Sequence, residues 1–293
     1  MILVLQRLLD IFSVGSTYAL LALGLTLVYS VMNLINFAYG MMLVWSAFIA
    51  VVLVNANVAP PVVLLACIAF SAFLSVGVGR LAFRPFLTAP PVTLLITSFG
   101  VELVLQYAGI VIFGENPRIL RVPAAFNVVI HAGGVRLPVS ELTTIAVAIL
   151  AFALLYLTLN RTNFGIQIRA AAELPDVARL MGVSPGVVLT AVFAISGVIA
   201  GLVGVLWFAQ VGAVTPRSDI DPTFKAFIAI VLGGLGNVRG AIVGGLVLGA
   251  IEVFLNAVLP AGAIGFTDAI VFATVIGILL FRPSGLVGVS AGL

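Results

Sequence analysis

"GSTYALLALGLTLVYSVMNLINFAYG", residues 15–40, decides the class of molecule. It opens as an apolar run without a charge. Ser30–Gly40 then interrupts the run with Asn33, Asn36 and Tyr39 before a second apolar run begins. A helix needs roughly 20 apolar residues to cross about 30 Å of hydrocarbon, and a run of that order stands on each side of the break. The pattern recurs along the 293 residues, at 11–31, 35–54, 61–79, 92–113, 142–159, 187–209, 241–259 and 264–281, with a shorter run at 224–235. The reading is an all-α polytopic membrane protein of about eight transmembrane helices plus a short broken helix. A β-barrel is excluded, because its strands alternate in short segments.

Composition agrees. The chain is 63% hydrophobic and 8% charged, with a mean hydropathy of +1.33. The net charge of +3 comes from scattered cations, so no basic block offers itself to nucleic acid. The single Cys67 forms no intramolecular disulfide, and the single His131 cannot build a metal site alone. Arg7 precedes a long apolar run that lacks a small-residue cleavage site at 27–30, which reads as an uncleaved first helix.

Three polar connections organise the chain. Residues 80–91 form a short basic, proline-rich turn, and 114–141 form the longest polar loop. Within that loop "FNVVIHAGGVRLP", 126–138, holds two β-prone runs around Gly133-Gly134 and predicts a small hairpin. Residues 161–186 carry three arginines, two acids and an alanine run. There Ile166–Glu173 favours helix, Pro175 suits a first helical position with Asp176 in the first turn, and Arg179 falls near that helix's end. Gly182 fits the position after the last turn, and Ser184-Pro185 reads as the cap and start of the next span. A connector needs only a few residues. A compact, set-apart helix bearing Arg, Glu, Asp and an exposed Met181 instead suits docking to a soluble partner. Alternation places 80–91 and 161–186 on one face and 114–141 on the other. With 161–186 inside, cations divide seven against six, so charge bias leaves the orientation open.

The glycine-rich "VLGGLGNVRGAIVGGLVLG", 231–249, interrupts an apolar stretch. Gly234, Gly236 and Gly240 faintly resemble a phosphate loop, but no Lys-Ser/Thr pair follows and the context is apolar. Close helix packing through Gly240/Gly244 and Gly245/Gly249, each small-xxx-small, is the plainer account. Broken helices at membrane depth also line transport pathways. Asn33, Asn36, Tyr39, Thr97, Ser98 and Asn237 near such breaks are therefore pathway candidates by polarity and depth. Ionisable residues within spans are costly and are candidates by default. Glu102 and Glu252 qualify, each with a structural reading beside the functional one, and Lys225 opens the short segment.

Four stretches together carry a family resemblance: residues 15–40, "RPFLTAPPVTLLITSFG" (84–100), "RTNFGIQIRAAAELPDVARLMGV" (161–183) and residues 231–249. The chain resembles the LivH-type permease subunit of the branched-chain amino acid ABC importer family, from about Gly15 to Gly285. The resemblance implies a fold like the vitamin B12-type (type II) importer permeases, as one permease domain over 1–293. It implies a multi-pass protein of the bacterial cytoplasmic (inner) membrane with an external loop at 114–141. The loop 161–186 becomes a cytoplasmic coupling loop, with Arg169, Glu173, Pro175, Asp176, Arg179, Met181 and Gly182 meeting the ATPase. The implied partners are a second, LivM-like permease, two cytoplasmic ATP-binding subunits that hold ATP and Mg, an external binding protein and membrane lipid. The chain itself would bind no cofactor and catalyse nothing. Tyr39 stands where the family usually carries His, which leaves the substrate open among Leu, Ile and Val, urea, short amides and aromatic acids. The rival reading is a stand-alone ion-coupled secondary transporter or channel using Glu102 and Glu252 as proton or sodium sites. It has no need of the 161–186 helix.

Overall fold

A computed structural model describes residues 2–86, 89–123, 126, 128–132, 135–173 and 175–287. Hydrocarbon offers no water to backbone N–H and C=O groups, so an apolar segment satisfies them internally as helix. Among the described residues the helices are α1 (Ile2–Met32), α2 (Tyr39–Asn55), α3 (Pro60–Val78), α4 (Pro91–Phe113), α5 (Val139–Arg161), α6 (Asn163–Glu173), α7 (Pro175–Leu180), α8 (Pro185–Val211), α9 (Ile220–Gly233), α10 (Val238–Val258) and α11 (Thr267–Phe281). Four short strands accompany them: β1 (Arg118–Ile119), β2 (Val129–Ala132), β3 (Val135–Pro138) and β4 (Ala213–Val214). Seven described helical segments are long and apolar enough to cross a membrane, the last being α11 together with the 3₁₀ turn before it (Gly262–Phe281), and α2, at 17 residues, is a shorter apolar helix.

Punctuation sets the boundaries. Proline opens α3, α4 and α8, where its missing N–H leaves no hydrogen bond unmade. Gly212, at φ 81°, ends α8 and donates its N–H to Phe208 O. Several sequence expectations shift. The second run begins as helix only at Tyr39, because 33–38 is irregular. The last run is helical only from Thr267, after a 3₁₀ turn at Ala261–Phe266. Lys225 lies inside α9, not at its start. The 161–186 insertion holds two helices, α6 and α7, where one was expected. Ser184 precedes α8 but makes no side-chain capping bond.

The described residues cluster into two compact units. Unit 2 comprises 27–122 and 150–223. Its centre is α2, buried from Tyr39 through Phe48, as befits a helix that is apolar all round. Helix α8 packs on α3 and α2 through small residues. A Cβ on Gly197 would meet Ser71, Ala72 and Ser75, one on Gly201 would meet Cys67 and Ile68, and one on Gly204 would meet Leu43. Hydroxyls join the same helices: Ser75 Oγ donates to Phe193 O at 2.6 Å, and Ser46 Oγ to Gly201 O at 2.9 Å. Phe48 stacks on Phe113 with centroids 4.3 Å apart, and Trp45 Nε1 donates to Leu105 O at 3.1 Å. Strands β1 and β4 pair antiparallel, Arg118 opposite Val214.

Unit 1 comprises 1–26, 123–149 and 224–293. Here α10 carries two glycine stripes on different sides. Gly240 and Gly244 lie against Gly233 and Ala229 of α9, while Gly245 and Gly249 lie against Ala19 and Gly15 of α1. The hairpin forms as β2–β3, with His131 opposite Arg136; its Gly133-Gly134 turn is outside the described residues. The break between α9 and α10 is closed by the chain's own end. Leu286 N donates to Leu232 O at 2.8 Å, and Val287 N to Gly233 O at 3.1 Å, answering carbonyls that a helix C-terminus leaves open.

The glycine contacts separate two kinds of substitution. A Cβ at Gly245 runs into the Ala19 backbone, whereas at Gly277 it meets nothing within 4 Å. Gly245→Leu is expected to destabilise the solubilised protein by about 1–3 kcal/mol through overpacking, and Gly277→Ala to leave it unchanged or slightly more stable. Thermal unfolding followed by size-exclusion recovery in detergent reads both.

Candidate translocation site

Among the described residues, each unit holds a polar cluster amid its apolar helices. In unit 1, Lys225 of α9 donates to both carboxylate oxygens of Glu252 on α10, each at 3.0 Å. Its Nζ also reaches Tyr18 OH of α1 at 2.9 Å, and Tyr18 OH donates to Glu252 Oε2 at 2.6 Å. Asp268 of α11 stands 3.5 Å from the same Nζ. Lysine and glutamate are both largely buried, so opposite charge and hydrogen bonds replace lost hydration. This arrangement ties four helices together and explains Lys225 and Glu252 as structural partners.

The cluster in unit 2 is built differently. Helix α1 stops at Met32 because Asn33 takes φ 50° and donates its N–H to Tyr29 O at 2.8 Å. Asparagine tolerates that left-handed conformation better than most residues. The chain then re-enters helix as Tyr39 N donates to Asn36 O at 3.1 Å. Gly40, the second residue of α2, sits against Asp219 and Thr223; a Cβ there would run into Thr223 Oγ1 and the Asp219 carbonyl.

Asp219 occupies the cap position of α9. Its carbonyl accepts Thr223 N at 3.1 Å and Thr223 Oγ1 at 2.6 Å. An aspartate at such a cap ordinarily turns its carboxylate onto the second or third N–H of the helix. The third residue here is Pro222, which has none. The Asp219 carboxyl instead meets the Glu102 carboxyl and the Gln106 amide of α4. Gln106 Nε2 donates to Glu102 Oε1 at 3.4 Å. One turn before Glu102, Phe99 stacks on Phe37 with centroids 4.4 Å apart.

Three residues of this group are buried with unanswered polar atoms. Asn36 is 1% exposed, Tyr39 0% and Asp219 3%. Asn36 Oδ1 and Nδ2, Tyr39 OH and Asp219 Oδ1 have no hydrogen-bond partner among the described residues. Each such atom costs about 1–3 kcal/mol unless a polar guest meets it. Such groups near an acidic pair suit passage or brief binding of a polar solute.

The family described as "Branched-chain amino acid transport system / permease component" matches residues 7–283. The chain belongs to this family. It is 32% identical to the high-affinity branched-chain amino acid transport system permease protein BraD of Pseudomonas aeruginosa, over 97% of this chain and 95% of the relative. It is 30% identical, with the same coverage, to the corresponding permease LivH of Escherichia coli K12. A probable LivH of Methanocaldococcus jannaschii is 28% identical over 92% of this chain and 88% of its own length. No solved structure matches. The chain is thus a transport permease component, not an enzyme, and a multi-pass protein of the bacterial inner membrane.

Among the pathway candidates, Asn36, Tyr39 and Glu102 belong to unit 2, where Gly40 lies against Asp219 and the Asp219 carboxyl meets Glu102. Asn33 is exposed and acts as the left-handed stop of α1. Thr97 and Ser98 donate their hydroxyls back to Thr93 O and Leu95 O of their own helix. Asn237 belongs to unit 1, where its Oδ1 caps α10 by accepting from Arg239 N and Gly240 N and its Nδ2 donates to Val287 O. In the 161–186 insertion Arg169 donates to Leu159 O and Asn160 Oδ1, closing the end of α5. Arg179 and Met181 are exposed, and Gly182 takes φ 87°. The backbones of Glu173, Pro175 and Asp176 are helical, while their side chains lie outside the described residues. Asp219 escaped sequence reading. Its signal is Pro222, three residues on, which removes one of the two N–H groups a capping aspartate ordinarily uses.

Removing one member of the unit 1 ion pair leaves a buried uncompensated charge, at a cost of about 3–5 kcal/mol. Lys225→Met is expected to lower recovery of folded protein sharply. The double variant Lys225→Met, Glu252→Gln should recover most of that loss. Equal damage in single and double variants, read by thermal unfolding in detergent, would show that the pair itself contributes nothing.

Proposed function

We propose that the chain is the transmembrane permease subunit of an ATP-driven ABC importer for branched-chain amino acids or related small amino acids and amides. The carrying observation is the insertion between α5 and α8. It breaks from the spans, holds two short helices, and turns into α8 through Gly182 at φ 87° and Pro185. Leu180 and Met181 at its tip are 87% and 81% exposed, beside exposed Arg179. Two large apolar side chains so exposed on a polar segment outside the spans call for a protein partner. Two cytoplasmic ATP-binding subunits, which hold ATP and Mg, fill that role. The rest of the assembly is a second, LivM-like permease and an external binding protein facing the 114–141 loop, hairpin included. The fold is of the vitamin B12-type permease class, the 293 residues form one permease domain, and 161–186 is its coupling loop.

An ion-driven carrier needs no such insertion. The chain alone in liposomes is therefore expected to show no leucine uptake under imposed proton or sodium gradients, and gradient-driven uptake would replace this reading with a secondary transporter.

Coupling is mechanical, so the end of α7 must be rigid. Gly182→Val places a β-branched side chain where φ is positive, at about 1–2 kcal/mol of local strain. Arg179→Glu reverses an exposed charge and should weaken ATPase association more at low salt than at high salt. In the purified complex both variants should import far less substrate at normal permease content and lose acceleration of ATP hydrolysis by loaded binding protein. Parental uptake in both would reduce the insertion to a connector.

A further inference from the structure

We propose that Asp219 and Glu102 form the ammonium-binding half of a transit site for a zwitterionic amino acid, with Asn36 and Tyr39 supplying donors for its carboxylate. The proposal rests on the importer reading and adds to it a site and a division of roles. Two carboxyl groups in contact, one of them the buried Asp219, oppose joint ionisation, and a cation is the natural complement. The acidic pair does not stand alone. Asp219 Oδ1 is buried without a hydrogen-bond partner among the described residues, and Pro222 removes one of the two N–H groups that ordinarily cap a helix start. Asn36 and Tyr39 are buried with unanswered amide and hydroxyl groups on the segment that leads into Gly40, and Gly40 touches Asp219. An amide N–H and a phenol O–H are suitable donors to a carboxylate. The Phe37–Phe99 stack lies one turn from Glu102 and offers apolar surface to an aliphatic side chain. Cation site, donors and apolar wall are the three parts of a branched-chain amino acid. Gly40 lets the start of α2 approach the Asp219 backbone closely, as a Cβ there would not.

Two measurements test this. The first uses the assembled importer with its ATPases and L-leucine-loaded binding protein. Asp219→Asn and Glu102→Gln keep the side-chain shape, so both should insert and assemble at parental level. Leucine uptake should fall at least ten-fold, while hydrolysis stimulated by loaded binding protein stays within two-fold of the parent. Parental uptake in either variant overturns the proposal, and so does a loss of uptake that merely tracks a loss of assembly or of stimulated hydrolysis. If the parent complex itself does not import leucine, the importer reading fails instead.

The second measurement does not depend on transport. Cys67 is the chain's single cysteine, so Cys67→Ala provides a clean background for Asn36→Cys. In membranes, methanethiosulfonate ethylammonium is expected to label position 36 at least ten-fold faster than the negatively charged sulfonatoethyl reagent, and Asp219→Asn should remove that preference. Equal rates, or no reaction with either reagent, overturn the proposal.

Discussion

Hydrocarbon gives a polar group nothing to bond with, and that constraint explains most of what this chain does with its few polar residues. Lys225 is the clearest case. An ammonium group at the depth of α9 is tolerable only if the protein replaces its hydration. Glu252, Tyr18 and Asp268 do so from three other helices. The backbone obeys the same rule. Where α9 ends at Gly233, its last carbonyls accept from Leu286 and Val287, and the first amides of α10 are met by Asn237. A broken helix survives in lipid because side chain and tail complete it.

Close approach follows from the same constraint. Helices in lipid gain no hydrophobic energy from meeting one another, so association relies on packing and interhelical hydrogen bonds. The two glycine stripes of α10 let the α9 and α1 backbones come near enough for Lys225 and Tyr18 to reach Glu252. In unit 2 the glycines of α8 do the same for the serine hydroxyls of α2 and α3. Against this background Asn36, Tyr39 and Asp219 are exceptions: buried, polar and only partly answered. A chain that completes a helix break and neutralises a buried lysine has means to satisfy three more residues. Their open groups are most economically read as belonging to a solute in transit.

Much of the fold was legible because span length and apolar runs are one-dimensional signals. The boundaries of α3, α4 and α8 follow from proline, and the β2–β3 hairpin from two β-prone runs around Gly133-Gly134. Gly240, Gly244, Gly245 and Gly249 were readable as packing residues, but their division between α9 and α1 was not, since that depends on which helices become neighbours. Polarity near a break picked out Asn33 and Asn237 without showing their place at helix ends. Both belong to helix termini, where asparagine serves a left-handed stop or a cap. The Lys225–Glu252 pairing spans 27 positions and Tyr18–Glu252 spans 234, separations at which no periodic pattern operates. Asp219 was legible in principle, because Ser-Asp-Ile-Asp-Pro places a proline at one of the two positions whose N–H a capping aspartate ordinarily uses.

A transit site must also let go. In a pathway, binding has to be favourable enough to admit a solute and weak enough to release it. A single buried carboxylate facing an ammonium group would hold it firmly, since low dielectric strengthens the attraction. Sharing one cation between Asp219 and Glu102, with Gln106 already on Glu102, offers another balance. When the cation leaves, a proton taken up by one carboxyl group lets it donate to the other, with the Gln106 amide donating beside it, and the cost of departure falls. The paired site of unit 1 has no such alternative, because its cation is covalently part of the chain. The chemistry of the two clusters is similar, and what separates anchor from pathway is whether the positive charge is a side chain or a visitor.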